Sequence, residues 1–382
     1  MLSRGSQINV TIEKMAIGGA GIARHEGMVL FIPLAAPADE LTVEITLKKK
    51  NFAEAKIVKI LKPGPSRRTP PCPVALVCGG CNWQQITEEE QRSQKQQLVL
   101  ETIQKFNRGV EFEYLPIKAS PRSLRYRNRI QPKFKNGNFG FFARNSHAIV
   151  DIKDCPITEE DLTAKFPEVR AFAEQKRSQD LLKLEMYIAE EGDIRYGLIT
   201  DDDDGVGFSQ VNRFQNEDLV ATALEWAGDY SYKNVFDLYA GSGNFTFPLA
   251  AKYSIATIHG VELNPKLVER AKSRIGNKPI KYFLSDVENY MKKAVIGRED
   301  LVVLDPPRAG ASEEIMKKLA QTPPRKIIYI SCHPVSLARD LNWLFAWAQK
   351  LGKSFKLSRV QTFEMFPQTD HVETIAELVV DS

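Results

Sequence analysis

The alternation of apolar and polar positions along the 382-residue chain changes character twice. In the first stretch, short apolar or alternating runs at residues 8–12, 28–32, 41–47 and 55–61 are separated by turns containing glycine or proline. Several short strands at such spacing predict a small, OB-like β-barrel. Residues 62–71 are crowded with proline, serine and arginine and read as a linker. From there to residue 207 the pattern is mixed, with a helix predicted over 88–106 and basic, aromatic β-structure over 124–142, so this part reads as α+β. Beyond residue 208, strand-like runs at 234–238, 257–261, 280–284, 301–304 and 326–330 alternate with helical periodicity, and a last β-like run covers 374–380. That alternation predicts an open, Rossmann-like α/β sheet with right-handed crossovers. The expected division is 1–62, 63–207 and 208–382, with the acidic turn 201–204 as a solvated loop.

Composition adds less. Hydrophobic residues at 43% and charged residues at 26% are ordinary for a globular chain. No apolar run nears the ~20 residues a membrane span needs, and the N-terminus lacks a signal-peptide pattern. The expectation is a cytoplasmic protein. The net charge is only +4, but its distribution is uneven. Residues 1–150 carry 23 Lys and Arg against 12 Asp and Glu, a net of +11, whereas the remainder carries 29 against 36, a net of −7. A basic front suggests a polyanionic partner.

The candidate chemistry gathers at strand ends. Gly241 and Gly243 follow the first strand of the α/β part and Asp237 precedes them. A GxG turn without a third glycine fits S-adenosylmethionine, which has no pyrophosphate to cradle, better than a dinucleotide. Glu262, Asp286, Asp305 and Cys332 then close the next four strands. Open α/β sheets bind ligands at this edge, so five successive strand ends converge on one place. Of five cysteines, Cys72, Cys78, Cys81 and Cys155 form a set with metal-ligand spacing, for which zinc and an iron–sulfur cluster are both open. Cys332 is left over as a nucleophile candidate.

Together these residues resemble the RNA uracil-5 methyltransferase family, especially its 23S ribosomal RNA members. The opening Ile17-Gly-Gly-Ala-Gly-Ile-Ala-Arg, with Val29-Leu-Phe-Ile-Pro, resembles a TRAM domain, an RNA-binding barrel. The resemblance makes the four cysteines ligands of a [4Fe-4S] cluster. It places Gln210, from Phe208-Ser-Gln-Val-Asn, on the cofactor with Tyr239, Asn244, Glu262, Asp286 and Asp305. It makes Cys332, in Ser331-Cys-His-Pro, the nucleophile and Glu373, in His371-Val-Glu, the base. The implied activity is S-adenosylmethionine-dependent C5-methylation of a uridine in 23S rRNA. A tRNA substrate, an N-methyltransferase acting through Asp305-Pro-Pro, and a non-catalytic RNA-binding assembly factor are the alternatives. Neither a membrane nor a protein partner is implied.

One departure is His333, where the family usually has asparagine. A protonated His333 would lower the thiol pKa of Cys332; otherwise it holds the loop. For RNA contact, residues 122–144 interleave basic side chains with Tyr126, Phe134, Phe139, Phe141 and Phe142. Strand alternation would expose Arg125, Arg127 and Arg129 on one face.

Overall fold

The computed structural model describes residues 2–176, 178–189, 191–199 and 210–380. Strands β1 (Gln7–Thr11), β2 (Lys14–Met15), β3 (Gly21–His25), β4 (Met28–Ile32), β5 (Glu40–Lys48) and β6 (Phe52–Lys62) form one six-stranded sheet in the order β1-β5-β6-β4-β3-β2. Alternation in β5 turns Leu41, Val43 and Ile45 inward onto Val10, Ala23, Leu30 and Ile32, so the sheet curls around one apolar core. The turn from β2 to β3 runs through Gly18 and Gly19, both at positive φ, a conformation glycine adopts without steric cost.

Helix α1 (Glu88–Phe106) lies where its sequence pattern puts it and is followed by β7 (Glu113–Lys118). A second sheet comprises β8 (Arg129–Ile130), β9 (Lys133–Lys135), β10 (Asn138–Phe142), β11 (Ile149–Asp151), β12 (Leu182–Ile188) and β13 (Ile194–Leu198). Helices α2 (Glu160–Ala164) and α3 (Phe166–Gln175) pack on it over Phe134, Phe139, Leu184 and Met186.

The third sheet alternates with helices: α4 (Arg213–Ala227), β14 (Asn234–Leu238), α5 (Thr246–Lys252), β15 (Thr257–Glu262), α6 (Pro265–Lys272), β16 (Ile280–Leu284), α7 (Val287–Lys293), β17 (Leu301–Leu304), α8 (Glu313–Gln321), β18 (Lys326–Ser331), α9 (Pro334–Lys350), β19 (Phe355–Phe363) and β20 (Glu373–Val380). Its eight strands run β16-β15-β14-β17-β18-β20-β19-β7. The first five are mutually parallel, and β20 enters antiparallel between β18 and β19. Parallel strands covered on both faces read as nearly continuous apolar runs, as Leu301-Val-Val-Leu does. One face packs on α4, α5 and α6, the other on α7, α8, α9 and α1.

Two elements sit differently from the sequence expectation. Val99 and Ile103 of α1 are buried in the core of the third sheet, and β7 pairs in parallel with β19. Both come from the stretch read as the central domain. The expected boundary at 207, the acidic turn 201–204, and Phe208 and Ser209 lie outside the described residues. Among the described residues, no helix is long and apolar enough to cross a membrane.

Candidate active site

The register of β20 explains how residues far apart in sequence meet. In the antiparallel ladder Ser331 faces Thr374, with Ile330 opposite Ile375 before it. Extending that ladder by one residue sets Cys332 opposite Glu373. In the parallel half, Leu238 is level with Leu304, so Asp305 leaves its strand beside the same edge. The structure therefore brings Cys332, Glu373 and Asp305 together.

Electrostatics ties the three to one another. Burial pushes the Cys332 thiol up to about 12, the carboxyls of Glu373 and Asp305 push the same way, and the guanidinium of Arg308 opposes them. Glu373 is raised well above the carboxylate range, first by burial and then by Asp305. Its Oε1 is buried with no hydrogen-bond partner. Asp305 in turn is raised by burial and by Asp237. Asp237 is pushed up to about 7 by burial, although its Oδ2 accepts from the Thr246 hydroxyl at 2.5 Å. Crowded, dehydrated carboxyls cannot all ionise cheaply, and such perturbation marks functional sites more often than scaffolding.

His333 is settled by its contacts. It is the N-cap of α9: Nδ1 accepts from the Ser336 amide at 3.3 Å and lies 3.0 Å from the Ser336 hydroxyl. That hydroxyl donates to the Arg308 carbonyl at 2.7 Å. Burial, then Arg308 and Arg339, lower the His333 pKa, which favours a neutral ring and disfavours a cationic His333 beside Cys332. Asparagine is also a good N-cap, which accounts for the exchange. The cation facing Cys332 is Arg308, legible only as the last residue of Asp305-Pro-Pro-Arg. Thiol alkylation followed against pH should show no upward shift for His333→Asn and an upward shift for Arg308→Ala. A fall in the Cys332 pKa in Arg308→Ala would reverse this assignment.

The glycine turn is built tightly. A Cβ on Gly243, at φ +101°, would stand 2.4 Å from the Phe247 ring. Tyr239, a bulky residue, is held at φ +66°, a strained conformation that persists only where its surroundings enforce it. Glu262 accepts from the Gly241 amide at 2.9 Å through one oxygen and from the Asn264 amide at 2.7 Å through the other. Asn244 pairs reciprocally with Asn216 of α4, at 2.8 and 3.0 Å. Asp286 is exposed and caps α7 through the Asn289 amide. Gln210 is half-buried, just ahead of the Asn212 that caps α4.

Cys332 opens into a cavity of about 290 Å³ whose lining includes Arg308, His333, Asp370 and His371, but also Gly18 of the barrel and Asn82. A second cavity, of about 210 Å³, is lined by Cys72, Cys78, Cys81 and Cys155. Burial raises Cys81 to about 12, and Cys155, Cys78 and Cys72, which line the same cavity, push the same way. Among the described residues, no three His, Cys, Asp or Glu side chains converge closely enough to hold a single metal ion.

The expected RNA-facing arginines are a correction. Residues 122–128 form no strand, so alternation does not apply. Arg125, at φ +51°, pairs with Asp154 at 2.7 Å and donates to the Cys155 carbonyl. Arg129 is paired with Glu185, and Arg127 donates to the Arg129 carbonyl at 2.9 Å. Arg144 donates to the Cys81 carbonyl at 2.8 Å. Tyr126, Phe134 and Phe139 are core residues. The groove that does lie beside the Cys332 cavity is lined by Lys133, Phe141, Phe142 and Arg144.

Comparison with known proteins matches this architecture. The tRNA (Uracil-5-)-methyltransferase family model matches residues 295–379, the segment holding Asp305, Cys332 and Glu373, and a TRAM domain model matches residues 2–58. The 23S rRNA (uracil(1939)-C(5))-methyltransferase of Shewanella frigidimarina is 30% identical, over 97% of this chain and 95% of that protein. The chain belongs to the RNA uracil-5 methyltransferase family. Another relative, an RNA methyltransferase of Bdellovibrio bacteriovorus, is 74% identical over 99% of this chain and 96% of its own length. The fold is shared with the tRNA (uracil-54, C5)-methyltransferase of Pyrococcus abyssi, crystallised with S-adenosyl-L-homocysteine: the TM-score is 0.74 at 22% identity, covering 97% of this chain and 100% of that one.

Proposed function

We propose that the protein methylates C5 of a uridine in 23S ribosomal RNA, in the cytoplasm, with Cys332 as nucleophile and Glu373 as base. The observation that carries this is the meeting of the Cys332 thiol with the unpartnered, buried carboxyl of Glu373 at the rim that also holds the glycine turn. Uracil C5 is a poor nucleophile. Addition of the Cys332 sulfur to C6 makes C5 electron-rich, and S-adenosylmethionine supplies the methyl group as its sulfonium. As C5 bonds the methyl group, the methyl–sulfonium bond breaks and the neutral thioether is left. Glu373, in its ionised form, then takes the C5 proton, the C5–C6 double bond re-forms, and the sulfur–C6 bond breaks, releasing Cys332 as thiolate. Cys332 precedes the N-terminus of α9, whose dipole favours a forming thiolate. Tyr239, Asn244, Glu262, Asp286 and Asp305, with Gln210, are the residues assigned to the cofactor. The pinched turn at Gly243 and the doubly anchored Glu262 support that assignment.

The ribosomal substrate rests on the Shewanella relative, which spans nearly the whole chain. The barrel at 2–62, with the second sheet, is assigned to holding RNA, and the third sheet to chemistry. The duplex hides C5 and C6, so the target base must be unpaired or flipped. Mapping 5-methyluridine in ribosomal RNA from cells with and without this gene tests the substrate. Loss of one 23S signal is expected, and loss in tRNA alone would overturn the choice.

Cys72, Cys78, Cys81 and Cys155 fit a [4Fe-4S] cluster better than zinc. Zinc needs its ligands to converge at ~2.3 Å on one point, whereas these sulfurs ring a cavity. Methyl transfer moves no electrons, so a cluster there would fix the two cysteine loops against β10. Equal iron and acid-labile sulfide in protein purified without oxygen is expected; stoichiometric zinc would refute it.

A further inference from the structure

Three distant segments meet at a carboxylate that the chemistry above does not use. Asp370 is almost wholly buried. Its Oδ2 accepts from the Gly18 amide of the barrel at 2.6 Å, and its Oδ1 accepts from the Asn82 side-chain amide at 2.7 Å. Its own amide donates to the Asn82 side-chain oxygen at 3.0 Å. The neighbouring Trp83 extends the same join. Its indole donates to the Gly19 carbonyl at 3.1 Å, and its amide donates to the Gln368 carbonyl at 3.1 Å. Gly19 is at φ +85°, and a Cβ there would fall 2.1 Å from the Asn82 amide nitrogen, so the loop lies flush on Asn82.

The place of this join matters. Gly18 and Asn82 line the Cys332 cavity on one side. The same two residues line, on the other side, the groove of about 490 Å³ that contains Lys133, Phe141, Phe142 and Arg144. They form the wall between the space for the reacting base and a basic, aromatic channel. Such a channel suits the adjoining nucleotides, by phosphate contact and base stacking.

We propose that Asp370 is a positioning residue that clamps the barrel's glycine loop as this partition, so that a single-stranded RNA must turn there to send one base to Cys332 and its neighbours into the groove. Charge-assisted hydrogen bonds of this kind are the strong ones. In Asp370→Asn the charge is gone and one amide would face another donor. The proposal rests on the RNA-modifying reading but is tested apart from it.

The full chain would be titrated with unmodified 23S rRNA transcribed with 5-fluorouridine. Retention on filters reads binding, and denaturing gels read the covalent adduct. Asp370→Asn is expected to weaken RNA binding about tenfold, the size of one lost charge-assisted hydrogen bond, with S-adenosylmethionine affinity unchanged. The half-saturating RNA concentration for adduct formation should rise in step, while the limiting adduct rate falls less than threefold. Asn82→Ala should give the same defect, and the double variant should be no worse than either single one. RNA binding unchanged in both single variants, or a loss confined to the limiting rate, would overturn the clamp. If the wild-type chain binds RNA and never forms adduct, the uracil reading has failed, and the binding ratios still decide the clamp.

Discussion

Cys332→Ala should abolish methylation, lowering turnover on the order of 10⁴- to 10⁶-fold, the range seen when a nucleophile is removed. The size follows from the carbon being methylated. Without a sulfur on C6 there is no electron-rich C5, and the remaining groups can position substrates but not create the nucleophile. The substitution itself is mild. Cys332 is half-buried and followed by its own helix cap, so stability should change by about 1 kcal/mol or less. Affinity for RNA and for S-adenosylmethionine should be retained, and adduct with 5-fluorouridine RNA should vanish. Methyl transfer within tenfold of wild type would mean that the acceptor atom needs no thiol, and N-methylation through Asp305 would take its place.

The pH dependence of the wild type follows from the same thiol. With burial pushing the Cys332 thiol up to about 12, thiolate is a minor species near neutral pH in the RNA-free protein. Alkylation of Cys332 should therefore climb with pH and show no plateau below pH 9. A plateau near pH 7 would show a thiolate already formed, and the burial argument would fail.

Much of this arrangement was legible before the structure. Strands β14, β16 and β17 fall on the predicted residues, because buried parallel strands announce themselves as unbroken apolar runs between turn signals. The placing of Asp305 and Cys332 at one edge of the sheet was legible for the same reason, since each directly follows such a run. β19 was missed: a bulge between Leu357 and Arg359 breaks its alternation. Nothing local in β7 marks it as a partner of β19, since that pairing joins Glu113 to Arg359 and Lys118 to Phe363, segments about 245 residues apart in sequence. Alternation fails for Arg125 and Arg127 because their stretch is irregular backbone, and Arg129, which opens β8, is held by Glu185. Asp370 was visible as a neighbour of the base motif, but its role depends on Gly18 and Asn82, which only docking brings to it.

Glu373→Gln should separate the two halves of the reaction. Turnover should fall roughly 10²- to 10⁴-fold, the usual contribution of a positioned base, while a protein–RNA adduct carrying the methyl group accumulates on unmodified substrate. The sign of the electrostatics favours accumulation. Glu373 opposes thiolate formation whenever it is ionised, and a glutamine never carries that charge, so thiolate forms at least as readily as in the wild type. Addition to C6 is then preserved. What is lost is removal of the C5 proton, without which the sulfur cannot leave. The glutamine amide must share a buried position where Oε1 has no partner, at a cost of about 1–3 kcal/mol for an unsatisfied group, too little to unfold a protein of this size. A variant that neither turns over nor holds RNA covalently would place the loss before C6 addition and make Glu373 an activator of Cys332. One that turns over normally would pass the role of base to another group at the rim, with Asp305 the first to test because it already shares Glu373's electrostatics.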